Sequence, residues 1–168
     1  KAWLSVLEAS YIVRLVAPYH RNFGKRLVKA PKLYFLDTGL ASALVGIHEA
    51  RALAIHPMRG ALFETWVLGE LFKYGFNRGQ VAELYFWRDS SGNEVDVLAE
   101  RGNRIHALEI KSGQTIAGDF FAGLERFSRV AGAARRTLIY GGEQTQERSA
   151  AMIFGWRGIT AVAQRLFG

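Results

Sequence analysis

Two β-type runs, residues 94–99 and 105–111, are separated by Arg101-Gly102-Asn103-Arg104. A Gly-Asn pair between two such runs signals a two-residue hairpin. With Gly102 and Asn103 as the loop, Asp96 lies opposite Glu109 and Glu94 opposite Lys111. Directly opposed residues share a face, with Cβ atoms roughly 4.5–5.5 Å apart. Residues two apart on a strand also share a face. Glu109 and Lys111 therefore project together with Ile105 and Ala107, while His106, Leu108 and Ile110 face the other way. Two carboxylates held that close repel each other and raise one pKa unless a cation lies between them. Oxygen ligands at this spacing suit the hard ions Mg²⁺ and Mn²⁺.

A third acid is expected from a helix. Residues 59–76 carry the strongest helical pattern in the chain. At about 100° per residue, Val67, Leu68 and Leu71 lie near Glu64, with Ala61 on its flank. Glu64 is thus centred on the apolar stripe, where a lone carboxylate is costly to bury. Glu70 falls on the flank. Structural alternatives exist for each acid: Asp96 opposite Glu109 suits an exposed, charge-balanced sheet, and Glu64 can pair with Lys111 or Arg88 without a metal.

The rest of the chain frames this group. Residues 1–9 read as the end of a helix and 11–16 as a strand stopped by Pro18. The stretch 19–32 reads as a basic, wing-like hairpin, and 33–36 as a further strand. Asp37 is placed to cap a helix running to Leu44 and ended by Gly46. Residues 47–57 read as a loop and a domain boundary. Strands are expected at 84–88, 94–99, 105–111, 136–140 and 151–156, with helices at 119–130 and 161–167. This order describes an α/β (α+β) architecture, a mixed sheet flanked by helices. The expected division is a small linker segment over 1–46 and a main domain over 57–168. The start at Lys1-Ala2-Trp3, without Met, reads as part of something longer.

Composition narrows the chemistry. The absence of cysteine excludes disulfides and thiolate metal sites, and fits a reducing, cytoplasmic setting. No apolar run of about 18 residues is present, so no membrane-spanning helix is expected. His20, His48, His56 and His106 lack metal-ligand spacing. Gly24-Lys25 is the only Gly-Lys pair, and Tyr19 stands where a phosphate loop needs its first Gly, so no ATP site is expected.

The net charge of +7 is uneven. Residues 1–36 hold seven basic groups against Glu8 alone. Such a patch attracts phosphate backbones, which makes Arg21, Lys25, Arg26, Lys29 and Lys32 candidate nucleic-acid contacts. It also serves as a solvated face or docks on an acidic neighbour. Trp87 and Arg88 offer a stacking and pairing edge, or a core Trp beside a surface Arg.

Helix-borne Glu64, then Asp96 and the Glu109-Ile110-Lys111 triplet on successive strands, resemble the PD-(D/E)xK nuclease core. The resemblance implies a restriction-endonuclease-like fold, a divalent metal held by Asp96 and Glu109, a Lys111 that activates water, and Glu64 completing the acidic cluster. The implied reaction is metal-assisted phosphodiester hydrolysis on DNA. A closer resemblance rests on 31–41 (PKLYFLDTGLA), 60–64 (GALFE), 86–88 (FWR), 92–96 (GNEVD) and 108–112 (LEIKS). It is to the C-terminal domain of unknown function that follows an AAA+ ATPase module in many bacterial and archaeal proteins. There a winged-helix-like segment, matched by residues 1–46, links ATPase to nuclease-like domain. The other reading of the same resemblance is a catalytically inactive DNA- or protein-binding regulatory domain.

Overall fold

The computed structural model describes residues 2–19, 30–80, 83–132 and 134–168. Helix α1 (Ala2–Ala9) leads into a strand pair, β1 (Val13–Pro18) and β2 (Lys32–Phe35). Helices α2 (Thr38–Leu44), α3 (Ala50–Ile55) and α4 (Arg59–Asn77) follow. Then come β3 (Leu84–Arg88), β4 (Glu94–Arg101) and β5 (Arg104–Lys111). A 3-10 turn at Gly118–Phe121 opens into α5 (Ala122–Ala131). The chain finishes through β6 (Ala134–Tyr140), β7 (Gln146–Glu147), β8 (Met152–Gly155) and α6 (Ile159–Phe167).

The eight strands of the described residues form one mixed sheet, ordered β2-β1-β3-β4-β5-β6-β8-β7. β3, β4 and β5 run antiparallel as a meander, while β5, β6 and β8 are mutually parallel. Parallel neighbours need a long crossover, and α5 supplies it between β5 and β6. Residues 1–46, expected as a separate winged-helix-like or linker segment, contribute β1 and β2 to this same sheet. β1 pairs in parallel with β3. Residues 19–32, expected as a wing, lie for the most part outside the described residues.

The sheet is buried on both faces. α4 and α6 cover one face, where Val67, Leu71, Val97, Leu108, Ile139 and Leu166 meet. α5 covers the other with Leu124 and Phe127, against Val95, Leu98, Ala107 and Leu138. The helices follow their apolar spacing: Leu124 and Phe127 are three apart, and Val162 and Leu166 four apart. Asp37 caps α2 as expected, accepting from the backbone N–H groups of Gly39 and Leu40 at 2.7 and 3.1 Å. Helix α3 falls in the stretch expected to be loop. Its six residues contain no buried side chain, so no apolar stripe announces it. Strand β7 is two residues long, too short for a periodic signal.

A candidate acidic metal centre

The β4–β5 hairpin has the register that its Gly-Asn loop dictates. Arg101 pairs with Arg104, Ala99 with His106 and Val97 with Leu108. Beyond Val97 the ladder changes character. The Asp96 Oδ2 accepts the backbone N–H of Ile110 at 2.8 Å. A register shift against β3 falls at the same place, between Tyr85 and Trp87. Its effect is visible in the packing: Val95 lies with the α5 face and Val97 with the α4 face. Asp96, between them, is therefore aimed along the sheet toward β5 rather than out of either face.

This in-plane carboxylate is the middle of the site. On the α4 side, Glu64, Glu94 and Asp96 each bring an oxygen within 4.8 Å of the other two. Strand β2 reaches into this trio. Lys32 and Tyr34 are two apart and share a face. The Lys32 Nζ lies 3.0 Å from Glu64 Oε1 and also pairs with Glu94. The Tyr34 hydroxyl donates to the same Glu64 oxygen. Arg88 approaches Glu94 at 3.5 Å from the exposed side.

On the α5 side, Glu109 and Lys111 pair at 2.7 Å. Glu109 is 5% exposed, and its Oε2 has no hydrogen-bond partner among the described residues. The helix approaches very closely here. A Cβ on Gly123 would stand 2.0 Å from the Glu94 carbonyl oxygen and 3.2 Å from Glu109 Oε2. Only glycine lets α5 press on the start of β4 at this point.

Electrostatics tie both sides together. Burial raises the Asp96 carboxyl well above its ordinary value, reinforced by Glu109 and Glu64, against the pull of Lys32 and the Ile110 N–H. Burial likewise raises Glu109, with Lys111 opposing and Glu94 and Glu64 adding to it. For Lys111, burial works to lower the ammonium, yet Glu109, Asp96 and Glu64 raise it overall. Lys32 shows the same balance: burial works against its charge, and Glu64, Glu94 and Asp96 outweigh it. The Tyr34 hydroxyl is held as a neutral donor, its pKa raised by burial and by Glu64. Four carboxylates thus meet three cations, Lys32, Lys111 and Arg88, with an acceptor oxygen left over. Hard oxygen donors and surplus negative charge fit a divalent cation of the Mg²⁺ or Mn²⁺ type.

The four residues expected from the sequence all fall in this region. The tight oxygen trio is Glu64, Glu94 and Asp96, and Glu109 is the carboxylate that acts most strongly on Asp96. Lys32, expected at a phosphate backbone, points into the acids, and Arg88 borders them. Arg21, Lys25, Arg26 and Lys29 lie outside the described residues. Trp87 is a core residue, 2% exposed and edge-on to Phe127 at 5.4 Å. Glu94, Lys32 and Tyr34 were not assigned to the site by sequence reasoning. The alternation of Lys32 and Tyr34 on one strand was the available signal.

Comparison with known proteins gives the family. The model described as "Domain of unknown function (DUF4143)" matches residues 59–157, and a second domain of unknown function, DUF8612, matches 1–51. The chain is 35% identical over 115 residues to uncharacterized proteins Rv2008c of Mycobacterium tuberculosis and Mb2031c of Mycobacterium bovis. That stretch is 68% of this chain and 25% of each relative, so the chain spans about a quarter of their length. Among solved structures, protein VC1899 from Vibrio cholerae aligns over 98% of this chain and 42% of its own, with a TM-score of 0.44 and 18% identity. With more than half of its residues under one family model, the chain belongs to the DUF4143 family.

Proposed function

We propose that this chain is the nuclease-like, metal-binding module of an AAA+ family ATPase, hydrolysing phosphodiesters in DNA. In this reading residues 57–168 are a PD-(D/E)xK, restriction-endonuclease-like core, and the winged-helix-like segment 1–46 connects it to the ATPase module. The observation that carries the reading is the surplus of carboxylate: Glu64, Glu94, Asp96 and Glu109 against Lys32, Lys111 and Arg88, with Glu109 Oε2 buried and unmatched among the described residues. Unmatched buried acceptors are expensive unless something fills them. When bound, a divalent ion supplies charge neutralisation and an acidified water. Asp96 and Glu109 would hold it, with Glu64 and Glu94 completing the oxygen set. Lys111, paired with Glu109 and kept charged, would orient the attacking water.

The test is calorimetric titration of the protein with Mn²⁺ and Mg²⁺, beside Asp96→Ala, followed by plasmid digestion. The reading expects one metal-binding event that Asp96→Ala abolishes, and digestion that fails in Asp96→Ala and Lys111→Ala. A second reading is favoured by one contact: Lys32 already bridges Glu64 and Glu94. In that reading the acids form a salt-bridge network within an inactive DNA- or protein-binding domain. Absence of metal binding, with DNA binding that weakens steeply in salt, would select it.

A further inference from the structure

A cavity of about 360 Å³ opens between α2, α4 and the ends of β5, β6 and β8. That lies within the roughly 300–1,000 Å³ of small-ligand pockets. It shares two elements with the centre. Phe63 and Trp66 line it from α4, the helix that carries Glu64 on another of its sides. Ser112, the residue after Lys111, forms its wall on the sheet side. Trp156 closes it from the end of β8.

The lining is aromatic and basic together. Phe63 and Trp66 lie 5.7 Å apart, and Trp156 stands edge-on to Trp66 at 6.0 Å. All three rings are only partly buried. Arg59 is fixed in the wall, its Nη2 donating to the Ser112 carbonyl at 2.7 Å. Just outside the lining, the Arg157 guanidinium lies 4.5 Å over the Trp156 ring and pairs with Glu143 at 3.3 Å, so Arg59 is the cation of the wall itself. A cavity that offers indole surface and guanidinium charge, and no carboxylate on its lining, matches a ligand with a flat π-face and an attached anion. A nucleotide has that chemistry. A base within a duplex has its faces covered by its neighbours, so the occupant is an unpaired one.

We propose that this cavity receives an unpaired nucleobase of the DNA strand whose phosphate lies at Lys111. The proposal rests on the nuclease-like reading of the acidic centre and names its substrate class as single-stranded or locally opened DNA. Base stacking on aromatic side chains is sequence-tolerant, so no base preference is expected.

The experiment is fluorescence anisotropy in EDTA, where no hydrolysis occurs, with three labelled probes. They are a twelve-nucleotide oligo-dT, an abasic twelve-mer of the same backbone, and a blunt twelve-base-pair duplex. Oligo-dT is expected to bind at least tenfold more tightly than either other probe. Trp156→Ala should remove about tenfold of that affinity, and Trp156→Phe should keep most of it. Trp66→Ala is the second variant should Trp156→Ala fold poorly. Equal binding of oligo-dT and the abasic strand, unchanged affinity in both alanine variants, or no binding of any probe overturns the proposal. Metal titration keeps the two ideas apart. Metal binding without base-dependent affinity removes the base site alone, whereas base-dependent affinity without metal binding removes the hydrolytic reading alone.

Discussion

Asp96 and Ile110 are joined side chain to backbone at 2.8 Å, at the point where the β4–β5 ladder would otherwise continue. The bond holds a carboxylate in the plane of the sheet among three other acids. Its raised pKa means that the ionised form opposes folding. The favourable contribution is complete below the ordinary aspartate value and is lost as pH rises through the folded value. Asp96→Asn keeps an acceptor for Ile110 and removes the charge. In metal-free buffer near neutral pH it should stabilise the protein by about 1–2 kcal/mol, read from urea unfolding, while the stabilisation given by Mn²⁺ disappears.

Lys32 acts in the opposite sense. It is the ammonium shared by Glu64 and Glu94. Lys32→Met leaves those carboxylates facing each other without it and should cost about 1–3 kcal/mol of metal-free stability. A divalent cation should restore that loss. The thermal shift on adding Mn²⁺ is therefore expected to be larger in Lys32→Met than in the parent protein. An equal or smaller shift would mean that the lysine and the metal do not compete for the same oxygens.

Gly123 permits the contact between α5 and the start of β4. An added Cβ would meet the Glu94 carbonyl oxygen at 2.0 Å, a backbone atom that cannot swing aside. Gly123→Ala should cost about 1–3 kcal/mol through overpacking. It should also weaken metal binding, because β4 carries Glu94 and Asp96 with it. Denaturant unfolding and metal titration of the same variant check both parts.

At the other end of β5, His106 is 5% exposed and its Nδ1 lacks a partner among the described residues. Burial and then Arg135, Arg165, Arg101 and Arg104 lower its pKa. The folded state thus holds this imidazole neutral. Its contribution to stability is complete above the ordinary histidine value and fades as pH falls through that value toward the lowered one. Between pH 7.5 and 5.5, His106→Phe should lose less stability than the parent. Parallel pH profiles of the two proteins would contradict this.

Local chemistry made much of the site readable in advance. The Gly102-Asn103 loop fixes every pairing from Arg101–Arg104 up to Val97–Leu108. The apolar stripe around Glu64 set that acid on the sheet-facing side of α4. Two things lay beyond such reasoning. Strict alternation puts Asp96 on the face of Glu109, but the register shift opposite Phe86 turns it into the sheet plane. That shift depends on β3, a neighbour that the hairpin's own residues do not specify. Lys32 and Tyr34 reach Glu64 across some thirty residues of chain, through the packing of α4 beside β2. The basic charge of the N-terminal stretch suggested a surface role for Lys32, whereas tertiary packing spends it inside.

β1 and β2 belong to the same sheet as the acids, yet the two family models meet the chain on separate stretches, 1–51 and 59–157. A fragment cut at residue 59 would keep Glu64, Glu94, Asp96 and Glu109 but shed the Lys32 ammonium and the Tyr34 hydroxyl. Its outermost strand would become β3, with freshly bared backbone beside an unbalanced knot of negative charge. The smallest piece that preserves the centre is therefore longer than the homology boundary suggests.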